Sequence, residues 1–375
     1  MNMIKRIIKL RKSKRKEMTK LDFRKLLGRR QINLDINGIE NYIADKTVLV
    51  TGGGGSIGSE ICRQIAEFNP KKLLILDRYE NTTYQLQIEL ERKFSCLSFQ
   101  VIIASINNME RINNIFQLYK PEAVFHAAAY KHVPLMEANP IEAIENNIFG
   151  TLNLIESADR HGTKKFVFIS TDKAVNPASI MGATKRAGEI LIQAAGKTSS
   201  TEFVAVRFGN VLGSSGSVVP IFMKQIQQGG PVTITHPEIT RYFMLIEEAV
   251  QLVLDAGALA KGGEIFVLDM GNPINIYRLA CKLIKSSGLI PHKDIKIKFT
   301  GLRPGEKLHE ELLMKDEEFQ KTKNEKIFIV NPSDWNIENL KSNLDILKKS
   351  MKYGNEKELL LKLKEIVPNY AIKSA

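Results

Sequence analysis

The chain has 375 residues, with 54 Lys and Arg against 41 Asp and Glu, a formal net charge of +13, and 43% apolar residues. That apolar content excludes a wholly disordered chain, and the length calls for two domains or one large α/β domain with a smaller lobe. A general nucleic-acid-binding surface is excluded because the charge is local: residues 1–30 hold 13 of the basic residues against Glu17 and Asp22, leaving the rest close to neutral.

In chain order, residues 1–30 read as a basic, helix-capable arm. Met3, Ile4, Ile7, Ile8 and Leu10 recur near helical spacing among Lys and Arg. The pattern suits peripheral contact with an anionic membrane surface as well as it suits a solvated tail, and both readings stay open. The apolar stretch is too short for a signal peptide, and no run approaches the roughly 18–20 apolar residues of a membrane span. A cytoplasmic protein is expected, with attachment to the inner face of the membrane as the alternative to free solution. Cys62, Cys96 and Cys281 show no metal-ligand spacing and read as buried thiols in a reducing compartment, so no metal site is expected.

From Lys46 the pattern alternates. Strands are predicted at 48–50, 73–76, 99–104, 123–126, 166–170 and 203–207, with helices at 56–68, 79–94 and 109–119 between the first four. Strands this apolar must be covered on both faces, which predicts an α/β protein with a doubly wound parallel sheet. After Arg207 the alternation loosens into turn-rich segments at 209–216, 229–231, 271–273 and 301–305, as expected of a smaller lobe capping the sheet. Residues from 336 onward read as helical, with no site chemistry.

Thr51-Gly52-Gly53-Gly54-Gly55-Ser56-Ile57-Gly58 joins the first strand to the first helix. It satisfies G-x-G-x-x-G through Gly53, Gly55 and Gly58, and T-G-x-x-G-x-x-G through Thr51, Gly52, Gly55 and Gly58. Glycines let the backbone turn tightly and approach a pyrophosphate, which then rests on the amide-rich end of the helix with Ser56 and Ile57. Asp77 closes the next strand, where a carboxylate holds ribose hydroxyls and favours NAD. Arg78 beside it could accept a 2′-phosphate, so NADP stays open. After the fourth strand, Ala127, Ala128 and Ala129 permit close passage over a cofactor at the sheet's carboxyl edge. His126 reads as a packed, hydrogen-bonded histidine. Lys131 and His132 are candidates for contacting a phosphorylated substrate or its sugar, against a plain solvated loop.

Ser170-Thr171-Asp172-Lys173 closes the fifth strand, and residues 176–186 open a helix. Here the chain resembles the extended short-chain dehydrogenase/reductase superfamily and, within it, the nucleotide-sugar 4,6-dehydratases of polysaccharide biosynthesis, the CapD-like group. The resemblance runs from about residue 26 to about residue 331. It is carried by VLVTGGGGSIGSEICRQI, VFHAAAYKHVPLMEANPIEAIENN, FISTDKAVNPASIMGATKRAGE, VRFGNVLGSSGSVVP and GLRPGEKLHEELL. It implies an NAD-binding Rossmann domain at 31–210, a substrate-binding lobe at 211–335 interleaved with it, and a helical extension at 336–375. It also implies a tightly bound NAD regenerated in each cycle, a UDP-sugar substrate, a homo-oligomer and no nucleic-acid partner.

The superfamily's Tyr-x-x-x-Lys pair falls on Met181 and Lys185, so the phenolate base is missing. Within the group this resembles the configuration-retaining branch acting on UDP-N-acetylglucosamine, with Lys185 on the nicotinamide ribose. Oxidation at C4 makes the C5 proton acidic, water leaves across C5 and C6, and the stored hydride returns to C6. Lys173 is the expected C5 base, provided Lys185 and partial burial lower its pKa. Asp172 is the expected acid at the C6 oxygen, and Thr171 the hydrogen-bonding partner of the 4-hydroxyl. The 4-hydroxyl proton would pass to Asp172 or to a water held by Thr171. Asn147 takes the superfamily's structural or catalytic asparagine position and is counted among the substrate-binding candidates. Arg207, Asn210 and Ser214 would hold sugar or phosphate, Arg241 and Arg303 the diphosphate, and Glu306 the uridine ribose.

Two departures stand out. After the third strand, Ala104-Ser105-Ile106-Asn107-Asn108 replaces an aspartate-containing element of many relatives, leaving Ser105 or Asn107 to accept the adenine amino group. Larger members carry a transmembrane module ahead of a segment like Leu26-Leu27-Gly28-Arg29-Arg30, where this chain has the basic arm. The competing readings are a UDP-sugar 4- or 5-epimerase, which shares the first oxidation but loses no water, and a catalytically silent nucleotide-sugar-binding protein. The Asp172–Lys173 pair with Met181 favours elimination.

Overall fold

The structure, a computed structural model, describes residues 34–372 apart from 316, 331–334 and 336; the basic arm at 1–30 lies outside them. After a short helix α1 (Ile36–Ile43), β1 (Thr47–Thr51), α2 (Ser56–Glu67), β2 (Lys72–Asp77), α3 (Glu80–Lys93), β3 (Phe99–Ile103), α4 (Met109–Tyr119) and β4 (Ala123–His126) follow in strict alternation. Two short helices, α5 (Val133–Glu137) and α6 (Pro140–Ile144), lead through one π-helical turn (Glu145–Phe149) into α7 (Gly150–Arg160), β5 (Lys165–Ile169), α8 (Ile180–Thr198) and β6 (Glu202–Arg207).

Beyond β6 the chain divides its residues between two places. β7 (Asn210–Val211), α9 (Val218–Gln227), β8 (Val232–Ile234), β9 (Thr240–Arg241) and β10 (Phe243–Met244) precede α10 (Ile246–Leu259) and β11 (Ile265–Leu268). β12 (Ile274–Asn275), α11 (Ile276–Ser286) and β13 (Ile297–Phe299) precede β14 (Phe319–Lys321), β15 (Ile327–Val330), α12 (Ile337–Tyr353) and α13 (Glu356–Ile366). The main sheet runs β14-β15-β11-β6-β5-β4-β1-β2-β3. From β3 to β11 every pairing is parallel, and β15 and β14 add antiparallel strands at the edge. The stretch 211–335 is therefore no single lobe, since α10, β11, β14 and β15 return to the sheet. What remains builds a lobe around its own core of Leu212, Phe222, Ile234, Phe243, Leu279 and Leu283.

The sheet has this layering because β1 has no polar face: all five of its residues are buried. Its side chains alternate, so Leu49 enters one core with Ile112 of α4, Leu154 of α7 and Ile190 of α8. Val48 and Val50 enter the opposite core with Ile61 of α2 and Val250 and Val253 of α10. Side-chain caps set helix starts, as where Asn108 Oδ1 accepts the Arg111 amide and Ser179 Oγ the Gly182 amide. Helix α8 is covered on its outer side by Leu344, Leu347, Leu359 and Leu363 of α12 and α13, which leaves residues 180–194 buried all round.

The strand order places the site. From β1 the chain moves outward to β2 and β3, then returns to β4 on the other side of β1, so the loops after β1 and β4 diverge and leave a crevice at the carboxyl edge. Among the described residues no helix is long and apolar enough to cross a membrane, and no group of His, Cys, Asp or Glu is placed to hold a metal ion. Of the three thiols, Cys62 is buried, Cys281 half-buried and Cys96 exposed, so burial as a common role is corrected for Cys96.

Candidate functional site

The glycine turn between β1 and α2 is built for close approach. Gly52 has φ +70°, and a Cβ there would lie 2.6–2.7 Å from the backbone of Ala127 and Ala128. A Cβ on Gly58 would meet the Gly52 carbonyl at 2.0 Å. Thr51 is fully buried and bonds His126 Nδ1 at 2.7 Å, while His126 Nε2 bonds Thr151 Oγ1 at 2.9 Å. Burial, helped by Lys185, holds the His126 pKa well below its ordinary value, so this ring is neutral and structural. Helix α2 is preceded by Gly55, which supplies no side-chain cap to its first amides.

Asp77, at the end of β2, accepts the Gly54 amide on Oδ2 at 2.9 Å and the Tyr79 amide on Oδ1 at 2.8 Å. It braces the turn from the end of β2. Arg78 stacks its guanidinium 4.8 Å from the centre of the Tyr130 ring. Ser105 Oγ accepts the Asn107 amide, and Asn107 Oδ1 is a buried acceptor without a partner. An uncapped helix start, a turn that only glycine fits, a strand-end carboxylate and an unpartnered acceptor beyond β3 together fit a dinucleotide.

A cavity of about 450 Å³ continues from this crevice. Ile57, Ala127 and Ala129 line it at the dinucleotide end, Thr171, Lys173, Met181 and Lys185 on its floor, and Arg241, Arg303 and Glu306 at the far end. Lys131, His132, Asn210 and Ser214 also line it. Ser56 Oγ accepts the Ser215 amide at 3.0 Å, so the loop before α9 touches the head of α2 and closes the cavity over the turn. A Cβ on Gly216 would come within 2.7 Å of the His132 ring, so this loop needs a glycine to lie against it.

The reaction floor is made by two elements. Thr171 caps a short 3-10 turn (Asp172–Ala174) and donates from Oγ1 to Asp172 Oδ1 at 2.9 Å. Lys173 Nζ donates to Asp172 Oδ1 at 2.9 Å and Asn210 Oδ1 at 3.2 Å, and lies 3.5 Å from Glu310 Oε1. Burial alone would favour the amine, but Asp172 and Glu310 outweigh it and raise the Lys173 pKa. The sequence expectation of a lowered Lys173 is thus corrected: its nearest charges are carboxylates. Asp172 is fully buried behind Lys173 and is absent from the cavity wall, which corrects its expected contact with substrate.

Met181 and Lys185 lie one turn apart on α8 and both face the cavity. Lys185 is the perturbed lysine, with Nζ 3.7 Å from the centre of the Phe168 ring. Burial brings its pKa down to about 7 against the pull of Glu189.

Two further expectations are corrected. Asn147, expected on the substrate, is 1% exposed and donates to Tyr130 O and Thr184 Oγ1 while its Oδ1 accepts from Tyr130 N and Asn146. With its hydrogen-bonding capacity filled, it pins the loop carrying Lys131 and His132. Arg207, expected on sugar or phosphate, is fully buried between Glu189 and Glu317 and does not reach the cavity.

Arg241 donates to Thr240 O, Leu308 O and Glu306 Oε1, and Glu306 also accepts from Thr235 Oγ1 and the Arg303 amide. Sequence reasoning missed Glu310, a cavity-lining carboxylate in the irregular segment after Glu306, and Ser217, whose Oγ is buried without a partner at the head of α9. Ser217 had one signal in the sequence, its place just before an apolar helical run.

Residues 48–332 match a family model described as polysaccharide biosynthesis protein. The chain is 52% identical over 348 residues to the capsular polysaccharide biosynthesis protein CapD of Staphylococcus aureus, covering 92% of this chain and 57% of that one. It therefore spans little more than half the length of that relative. A UDP-N-acetylglucosamine 4,6-dehydratase (inverting) of Campylobacter jejuni is 36% identical, with 77% of this chain and 83% of that protein covered. The crystal structure of Pen from Bacillus thuringiensis superposes with a TM-score of 0.72 at 37% identity, over 78% of this chain and 90% of that one. With the glycine turn, the sheet order and these likenesses in place, the chain belongs to the polysaccharide biosynthesis protein family, with the extended short-chain dehydrogenase/reductase fold.

Proposed function

We propose that this protein is a nucleotide-sugar 4,6-dehydratase with NAD as its resident cofactor. In this reading it converts UDP-N-acetylglucosamine to a UDP-4-keto-6-deoxy-N-acetylhexosamine for surface polysaccharide or glycan synthesis. The observation that carries the reading is one cavity with a dinucleotide turn at one end, guanidinium groups at the other, and Thr171, Lys173, Met181 and Lys185 between them. The 36% likeness to a dehydratase supports it.

NAD would rest on the turn at 52–58 with Asp77 at its ribose, and when bound it accepts hydrogen from C4 and gives it back at C6. Replacing Gly58 by Ala forces a Cβ into the Gly52 carbonyl. The variant should lose at least about tenfold in NAD affinity, equivalent to about 1.4 kcal/mol, as read by titration against cofactor fluorescence. Unchanged affinity would remove the turn from the site.

Met181 has no proton to exchange, so the 4-hydroxyl proton passes to Lys185, the one floor amine whose pKa of about 7 leaves it partly neutral near neutral pH. Thr171 orients that hydroxyl. Lys173, held as an ammonium by its carboxylates, donates to the departing C6 oxygen. This gives Lys173 the acid role that the sequence suggested for Asp172. Arg241 and Arg303 hold the diphosphate, Glu306 the ribose.

Incubation of the purified protein with UDP-N-acetylglucosamine should yield a product lighter by one water by mass spectrometry. A new isomer of unchanged mass would instead indicate an epimerase. Binding without turnover would indicate a silent nucleotide-sugar-binding protein.

A further inference from the structure

We infer that residues 213–217 form a strap across the cofactor crevice that retains the reduced dinucleotide between C4 oxidation and the return of hydrogen at C6. This role rests on the dehydratase reading. That cycle stores a hydride on the cofactor while the sugar loses water. A cofactor that left at that point would take the hydride with it, so retention bears on the chemistry and not only on affinity.

The crevice lies between the loops after β1 and β4, and the strap touches one residue on each bank. On the β1 side the Ser215 amide donates to Ser56 Oγ, in the first turn of α2, at 3.0 Å. On the β4 side Gly216 lies against the His132 ring, where a Cβ would stand 2.7 Å from Cε1. Both banks are anchored. Ile61 and Ile65 of α2 are fully buried, and Asn147 holds the chain before His132 through the amide and carbonyl of Tyr130. The strap is itself a tight turn, with the Ser217 amide on Ser214 O and Ser214 Oγ on Val211 O. Left-handed backbone at Gly213 (φ +77°) and Gly216 (φ +68°) shapes it. Ser215 and Gly216 are exposed, while Ser214 is buried and lines the cavity.

The Ser56 contact suits a cofactor as well as the strap. A hydroxyl has one hydrogen to donate and two lone pairs to accept with. Ser56 Oγ accepts the Ser215 amide and donates to no described residue, so its hydrogen is left for a phosphate oxygen resting on the turn. Ile57, next in α2, lines the same cavity as Gly216, Ser217 and Lys185, so the strap covers the route from the turn to the reaction floor. The electrons balance with the strap closed or open. Closed, the hydride taken from C4 returns to C6 and the cofactor ends oxidised. Open, the hydride leaves as one free NADH, the hydroxyl proton stays on Lys185, and the sugar remains in its 4-keto form, two hydrogens short.

The test uses the full-length protein loaded with NADH and compares wild type with Ser215→Pro, Ser215→Ala and Gly216→Ala. Proline removes the amide that Ser56 accepts, and alanine at 215 keeps it. Alanine at 216 drives a Cβ into the His132 ring from a left-handed backbone. Without sugar, excess oxidised NAD is added and the fluorescence of bound NADH is followed as it leaves. Ser215→Pro and Gly216→Ala should release it at least about tenfold faster than wild type, the factor one hydrogen bond is worth, and Ser215→Ala within about threefold of wild type. With UDP-N-acetylglucosamine present, a second dehydrogenase that consumes only free NADH should register escape in the two fast variants. A sugar lighter by two hydrogens should appear with it, and neither signal in wild type or Ser215→Ala. Equal release from wild type, Ser215→Pro and Gly216→Ala overturns the strap, and so does release from Ser215→Ala as fast as from Ser215→Pro. Should one strap variant fail to fold, the other carries the comparison, since the two break contacts on opposite banks. Fast release without sugar but no escape during turnover overturns the role in the cycle. A wild type that retains NADH behind the strap yet never removes water from the sugar overturns the dehydratase reading and leaves the strap standing.

Discussion

Lys185→Met is expected to lower kcat about 100- to 10,000-fold and to erase a pH inflection near 7, while leaving the melting temperature at neutral pH unchanged or higher. The amine accepts a proton only when neutral, so wild-type activity should rise with pH through about 7, where burial has brought this lysine. The sign for stability runs the other way from a helpful ion pair. The folded pKa lies below the unfolded value of about 10.4, so the unfolded chain binds more protons between them. This group's contribution is fullest above the unfolded pKa and is lost as pH falls toward 7. Methionine, placed against Phe168 on a buried helix, carries no such cost. Lys185→Arg should not restore activity, because a guanidinium does not deprotonate. The measurements are a pH–rate profile and a thermal melt at pH 7. A Lys185→Met enzyme that keeps the inflection would move the 4-hydroxyl proton elsewhere, and one that melts far lower would make Lys185 structural.

What could be read from the sequence was whatever local sterics decide. The strand at 48–50 and the glycine turn after it are legible because an all-apolar strand must be central and because close backbone approach admits only glycine. The helix at 109–119 matches α4 to the residue, since its cap, Asn108, stands directly before it and its apolar spacing lies within it. The charges of the site were not legible in this way. Lys173 and Lys185 look alike in sequence, yet their pKa values move in opposite directions: Asp172 beside it and then Glu310, far along the chain, raise that of Lys173, while burial lowers that of Lys185. Arg207 ends a strand, as a substrate ligand would, but its partner Glu317 lies 110 residues away. Glu310 sits in a segment with no regular structure, where no periodicity marks which side chains face inward. The helical extension was visible, but not that it covers α8.

Arg207→Ala should cost about 3–5 kcal/mol of stability at pH 7, measured by urea unfolding. The guanidinium is fully buried with all its donors engaged: Nε and Nη2 on Glu189, Nη1 and Nη2 on Glu317, and Nη1 on Leu312 O. Arg186 and Ser170 complete the cluster through Glu189. Two arginines and two glutamates balance in charge, so removing one cation leaves a buried carboxylate underpaired, which is far more costly than losing the pair as a unit. Burial would raise the Glu189 pKa, but Arg207 first and Arg186 second bring it down to about 2. Its contribution is therefore complete above the unfolded value of about 4.3 and is lost as pH falls toward 2. In the variant Glu189 protonates at a higher pH, so the gap to wild type should narrow as the acid range is entered. A gap below about 1 kcal/mol at pH 7, or one that stays constant down to pH 3, would show that the cluster is not the tie assigned to it. The cluster also fixes the reaction centre, because Ser170 precedes Thr171 on one side while Leu312 and Glu317 anchor the segment that carries Glu310 on the other. Folded Arg207→Ala should accordingly lose turnover more than substrate affinity, as expected if a carboxylate opposite Lys173 must be held in place rather than merely present.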